Sequence, residues 1–270
     1  MHGDPVAHGD PMAEVAATLR RILSTIDAGD VLEVGCGDGD FTELLCELLA
    51  SYRRIDALDT DDDAVAEARA YFARAHPGAP VTFRVGTAAG LPYADESVDT
   101  AVLSDTLHHL ATPQEALSEV VRVLRPSGRV LVNEMVSDIA DPRRAVGRDL
   151  HHLKARIDRS LGISHNDTFS RAELASLCAG AGLQELVREE YDPTAPEQDD
   201  IDLDEKLEQL DAYADHAAAE PDYPGIRREV SRLKQRVRAV GFAPAPQVLA
   251  VYGKRAAVIP TAAADGGGRS

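Results

Sequence analysis

The sequence predicts an α/β fold in which seven strands form a mostly parallel sheet with helices on both faces. Three observations predict it. Short apolar runs alternate with amphipathic helical patterns along most of the chain. The first run, VLEVG (31–35), ends in a glycine-rich turn that opens into a helical pattern, the sign of a strand–turn–helix unit. Of the 270 residues, 44% are hydrophobic and 27% charged, enough to bury a core on two faces of a sheet.

The elements follow in order. Residues 1–28 form an N-terminal tail and a cap helix. The tail repeats HGDP at 2–5 and 8–11, and Val15, Leu19, Ile22 and Leu23 mark one face of a helix over 13–26. Strands are expected at 31–35, 54–59, 81–86 and 97–105, with helices at 41–50 and 64–75 between them. Thr112, Pro113 and Glu115 then read as N-cap, N1 and N3 of a helix ending near Leu124, with a capping box. Arg125–Gly128 reads as a turn before a strand at 129–135. The polar segment 137–168 carries a helix over about 143–160, and Ser170 with Glu173 caps another that ends near Gly180. A strand at 183–191 leads into an acidic loop (192–205), two helices (204–218 and 225–240, the second stopped by Gly241) and a last strand at 247–255. The Ala/Gly-rich stretch 256–270 reads as a disordered tail.

Bulk properties narrow the partners. Lys and Arg number 28 against 46 Asp and Glu, and the net charge of −18 disfavours nucleic acid. The three cysteines, Cys36, Cys46 and Cys178, form no Cys-x-x-Cys pair, so neither a disulfide framework nor a structural zinc site is expected. No apolar run is long enough for a bilayer and the N-terminus has no leader-like apolar core, so no membrane partner and a cytoplasmic location are expected.

The chemistry-bearing positions cluster at strand ends. Gly35, Gly37 and Gly39 let a turn backbone approach a ligand and adopt positive φ. Asp59 ends the second strand, where a carboxylate can accept hydrogen bonds from ribose hydroxyls. GTAAGLPY (86–93) follows the third strand and offers backbone and apolar walls, Leu91 and Pro92, to a flat ring. Asp61, Asp62 and Asp63 read as the N-cap and first turn of a helix, and Cys36 as a small turn residue. The turn is G-x-G-x-G, not the G-x-G-x-x-G that seats a pyrophosphate, and Glu33 just before it suits a cationic ligand end.

Four stretches in register, VLEVGCGDG (31–39), LDTD (58–61), GTAAGLPYADESVDTAVLSDTLHHL (86–110) and RVLRPSGRVLVNE (122–134), resemble the class I S-adenosylmethionine-dependent methyltransferases of the UbiE-like (type 11) group. The resemblance covers about 29–135 and implies a Rossmann-like, S-adenosylmethionine-binding core over 29–136. It implies that Glu33 and the turn Gly35, Cys36, Gly37 and Gly39 hold the methionine part. Asp59, followed by Thr60, would take the ribose; Thr87 and Ala88 would border adenine; Ser104 would lie beside the methionine chain. Thr87 stands where the family usually has an aspartate.

The expected reaction is in-line methyl transfer to a small-molecule acceptor, in which the protein mainly positions the reactants. Asp105, His108, His109 and Glu134 lie at the ends of strands four and five, and His109 matches a family histidine and is the candidate base. In HHLKARIDRSLGISHNDTF (151–169), His152, Asp158 and His165 could converge over the crevice to meet substrate or a metal, although their spacing matches no known ligand pattern. The remainder of the core is expected over 137–255, with helical insertions at 137–168 and 192–243 as a substrate cover; their apolar faces would equally serve a homodimer. Two other readings remain open: a nicotinamide-dependent oxidoreductase, opposed by the glycine spacing and Glu33, and a non-catalytic cofactor-binding protein.

Overall fold

The computed structural model describes residues 11–193 and 203–255. The tail over 1–10, the centre of the acidic loop (194–202) and the stretch 256–270 expected to be disordered lie outside the described residues.

The chain folds as α1 (Pro11–Leu23), β1 (Asp30–Val34), α2 (Asp40–Leu48), β2 (Arg54–Asp59), α3 (Asp62–Ala75), β3 (Val81–Val85), β4 (Val98–Ser104), a one-turn 3₁₀ helix (Leu107–His109), α4 (Pro113–Val123), β5 (Leu124–Met135), α5 (Pro142–Ser160), α6 (Arg171–Gly180), β6 (Leu183–Tyr191), α7 (Leu203–Asp215), α8 (Tyr223–Val240) and β7 (Gln247–Lys254). The seven strands lie in the order β3-β2-β1-β4-β5-β7-β6. The first five are parallel, and β7 runs antiparallel to both of its neighbours. The fold is therefore the mostly parallel, Rossmann-like α/β sheet that strand–helix alternation predicts.

Neighbouring strand residues bury on opposite faces, so both faces need apolar side chains. Leu32, Val34, Val130 and Val132 join Leu117, Val120, Leu174 and Cys178 on the α4–α6 face. Val31, Leu131 and Val251 join Leu19, Leu23, Leu45, Val65 and Phe72 on the α1–α3 face. A third, separate cluster ties α5, α7 and α8 together: Leu153 and Ile157 of α5 pack with Ala214 of α7, Ala217, and Ile226, Val230 and Leu233 of α8. Gly147 admits this arrangement, because a Cβ there would stand 2.3 Å from the carbonyl oxygen of Ala243.

Two local expectations are corrected. Arg125–Gly128 is an irregular stretch inside β5: Leu124 pairs with Val98, and the register resumes only at Arg129 opposite Thr100. The extra residues bulge out of the ladder, which turn-forming Pro and Gly permit. Thr112 is the N-cap of α4 and Pro113 opens the helix, but no capping box forms: the Thr112 side chain makes no cap bond. Its carbonyl takes the Glu115 N–H instead, at 3.1 Å. Ser170 and Glu173 do form both arms of a capping box, and Asp61 caps α3 by accepting from Asp63 N and Ala64 N.

Candidate functional site

The sheet order reverses between β1 and β4, the place where open α/β sheets leave a ligand crevice beyond the carboxyl ends of the strands. A cavity of about 530 Å³ lies there, within the about 300–1,000 Å³ of small-molecule sites. Val34, Gly35 and Gly37 form its floor, Leu58 to Asp61 one side, Gly86 and Ala88 a second, and Asp105, Thr106, His109, Leu110, Ile163 and Ser164 the far end.

The glycine turn is held open from below. Gly35 has φ +80°, and a Cβ there would meet Thr106 Oγ1 at 2.3 Å. Gly37 has φ +52° with open space where a Cβ would be, so the cavity meets bare backbone. Asp59 steadies this turn: one carboxylate oxygen accepts from Gly37 N (2.8 Å) and the other from Asp61 N (2.9 Å). Each oxygen keeps further lone-pair capacity toward the cavity.

Glu33 lies beneath the turn, fully buried and off the cavity wall. Its Oε2 accepts from Thr42 Oγ1 at 2.5 Å, while Oε1 has no partner. Burial pushes its carboxyl up to about 8. Cys36 is buried, and burial raises its thiol, so it is no nucleophile at neutral pH. Thr60 is on the wall; Thr87 is exposed and caps its own turn by accepting from Ala89 N at 3.3 Å, while Ala88 lines the cavity. Ser104 and Gly39 lie outside the lining. Ser104 Oγ accepts from Asn133 Nδ2 (3.0 Å), and Asn133 Oδ1 accepts from Tyr191 (2.8 Å).

The strand-end candidates divide. Asp105 lines the cavity in a left-handed conformation (φ +45°), a strained backbone of the kind that gathers at binding sites. Burial and the neighbouring Glu134 push its carboxyl up to about 6. His109 lines the cavity as well, and desolvation, then the imidazoles of His108 and His165, lowers it to about 3, so the ring is neutral at pH 7. His108 and Glu134 lie behind the wall, 1% and 0% exposed. Glu134 accepts from Thr106 N (2.9 Å), Leu107 N (2.6 Å) and His108 Nδ1 (2.6 Å). In the polar segment, His165 meets Asp158, Nδ1 to Oδ2 at 2.6 Å, but His152 turns away to Thr168 Oγ1 at 2.9 Å. The residue that completes the group is His151, whose Nε2 lies 3.1 Å from that of His165. Thr106, Leu110, Ile163, Ser164 and His151 were not separable in the sequence from their neighbours; only position beside Asp105 or within a paired His-His gives any signal.

A family model described as a methyltransferase domain matches residues 32–132. A curated protein of Mycolicibacterium smegmatis, named as a probable S-adenosylmethionine-dependent methyltransferase, is 34% identical over 165 residues, 61% of this chain and 56% of the relative. The O-methyltransferase cnsE of Penicillium expansum is 31% identical over 43% of this chain and 41% of its own. The ubiquinone/menaquinone biosynthesis C-methyltransferase UbiE of Roseobacter denitrificans is 32% identical over 45% and 48%. The chain thus spans about half the length of the curated relatives it matches. Among solved structures, the YcgJ protein of Bacillus subtilis shares the fold with a TM-score of 0.59 at 19% identity, covering 89% of this chain and 99% of that one. The S-adenosylmethionine-dependent methyltransferase of Mesorhizobium loti does so with a TM-score of 0.53 at 16% identity, covering 91% and 99%.

Proposed function

We propose that this chain, whose residues 32–132 match a methyltransferase domain, uses S-adenosylmethionine to transfer a methyl group to a small molecule held at the far end of the crevice. The observation that carries the reading is a single cavity that joins the bare backbone of Gly35 and Gly37, the carboxylate of Asp59 and the polar end around Asp105, His109 and Ser164. The family's cofactor brings an electrophilic methyl group on a sulfonium sulfur.

The residues present fit that group. Gly37 leaves open space at the turn, Asp59 offers lone pairs suited to ribose hydroxyls, and Ala88 gives an apolar border for a base. Glu33, with one unpartnered buried oxygen under the turn, places a carboxyl group with unused hydrogen-bonding capacity below the site for the methionine end. What remains for the protein is to orient an acceptor in line with the methyl group and exclude water. Leu110 and Ile163 supply apolar contact there, and His109 supplies a neutral imidazole able to accept a hydrogen bond from an acceptor O–H or N–H. A small acceptor is supported by the cavity's volume of about 530 Å³ and by the O- and C-methyltransferases among the relatives. Within this reading the first insertion (137–168) is the cover, through Ile163 and Ser164. Among its described residues, the second (192–243) adds none to the wall but braces α5 through the third cluster.

Calorimetric titration with S-adenosylmethionine, S-adenosylhomocysteine and NAD tests the proposal. Binding of the first two without NAD is the expected result; binding of NAD alone would sink it. Asp59→Ala should weaken S-adenosylmethionine binding at least about tenfold, since each charge-assisted hydrogen bond is worth about 1.5–3 kcal/mol. A folded variant with unchanged affinity would move the ribose site elsewhere.

A further inference from the structure

We infer that His108, His151 and His165 form a binding site for one divalent transition-metal ion, zinc in the first instance. Their ring nitrogens lie within 4.8 Å of one another. The three come from different elements; Asn166, next to His165, ties that segment to the His108 turn, its N donating to His108 O (2.6 Å) and its Nδ2 to Leu110 O (2.8 Å).

The orientation of the rings carries the argument. His108 Nδ1 is taken by Glu134 at 2.6 Å and His165 Nδ1 by Asp158 at 2.6 Å. Each carboxylate is itself fixed: Glu134 by two backbone N–H groups, Asp158 by Tyr213 and Lys154. Both imidazoles are thus held with Nε2 facing inward, the carboxylate–histidine arrangement that orients metal ligands. His108 is 1% exposed, yet its Nε2 has no hydrogen-bond partner. His165 Nε2 faces only His151 Nε2, 3.1 Å away. A buried ring nitrogen without a partner, beside two ring nitrogens that face each other, is costly to leave so, and a shared cation satisfies all three together. The other geometric trio, Asp105–His108–Glu134, fits less well because Glu134 already accepts from three donors, one of them His108 Nδ1.

Three imidazoles leave a fourth position for water or an oxygen donor. His109, on the cavity wall, packs its ring tilted against His108 and His165, with centroids 4.3 Å and 4.1 Å apart, so the site lies one side chain behind the acceptor end of the crevice. The inference needs no S-adenosylmethionine, and its test uses none.

The full chain, treated with a chelator and then titrated calorimetrically with zinc chloride, should bind one ion per chain, and cobalt(II) should give the intense visible bands of a four-coordinate site. His151→Ala, at the half-buried position, should weaken zinc at least about a hundredfold. Asp158→Asn should weaken it about 10–100-fold while keeping the ligands. His152→Ala, outside the trio, should leave binding unchanged. Absence of saturable binding to the folded chain, or equal affinity in the His151→Ala and His152→Ala proteins, would overturn the inference.

Discussion

Glu33 sits on β1 with no solvent contact, one oxygen on Thr42 and the other without a partner. Its carboxyl is raised from 4.5 to about 8 by burial. The folded state therefore holds a proton that the unfolded chain releases near pH 4.5. The stability this gives is complete below that pH and is lost as pH rises through about 8, at about 1.4 kcal/mol per pH unit inside the window. Glu33→Gln keeps an acceptor for Thr42 and removes the titration. Its melting temperature should gain on the parent chain steadily between pH 5 and pH 8; thermal scans showing a constant difference would remove Glu33 as the titrating group. Glu33 was legible from the sequence as the acid before the turn, but not its depth. A contact with the ligand and a place beneath the turn differ only by the path of the backbone above it.

At the scale of elements, α4 and α6 carry the same cap signature in sequence and differ in structure. Ser170 and Glu173 exchange both bonds of the box, whereas the Thr112 side chain makes none. Ser170→Ala should cost about 1 kcal/mol and Thr112→Ala less than about 0.5 kcal/mol, as read by denaturant unfolding. Equal losses would mean that the hydroxyls act by some other route. Helix ends were readable because local rotamer and backbone preferences govern them. The bulge in β5 was not, because its registry is set by Val98 and Thr100 on another strand.

For the whole molecule, helices α5, α7 and α8 have a core of their own. Leu153, Ile157, Ile226, Val230 and Leu233 pack together apart from the two clusters on the sheet. Leu153→Ala should cost about 2–5 kcal/mol locally. Native-state hydrogen exchange should then speed up in α5, α7 and α8 well before β1, β4 and β5. Uniform acceleration across the sheet would show one cooperative unit instead. Among the described residues, no helix is long and apolar enough to cross a membrane.

The alternation of strands and helices, the glycine turn and the acid at the end of β2 were determined by the sequence alone, because each is a short-range pattern whose period or spacing is written along the chain. The tertiary structure alone decided which histidines meet. His151 and His152 are neighbours in sequence, yet successive helix positions point about 100° apart. One ring joins His165 and the other bonds Thr168. The choice was made by how α5 and the segment after it pack against the β4 turn, a long-range fact that no local spacing encodes.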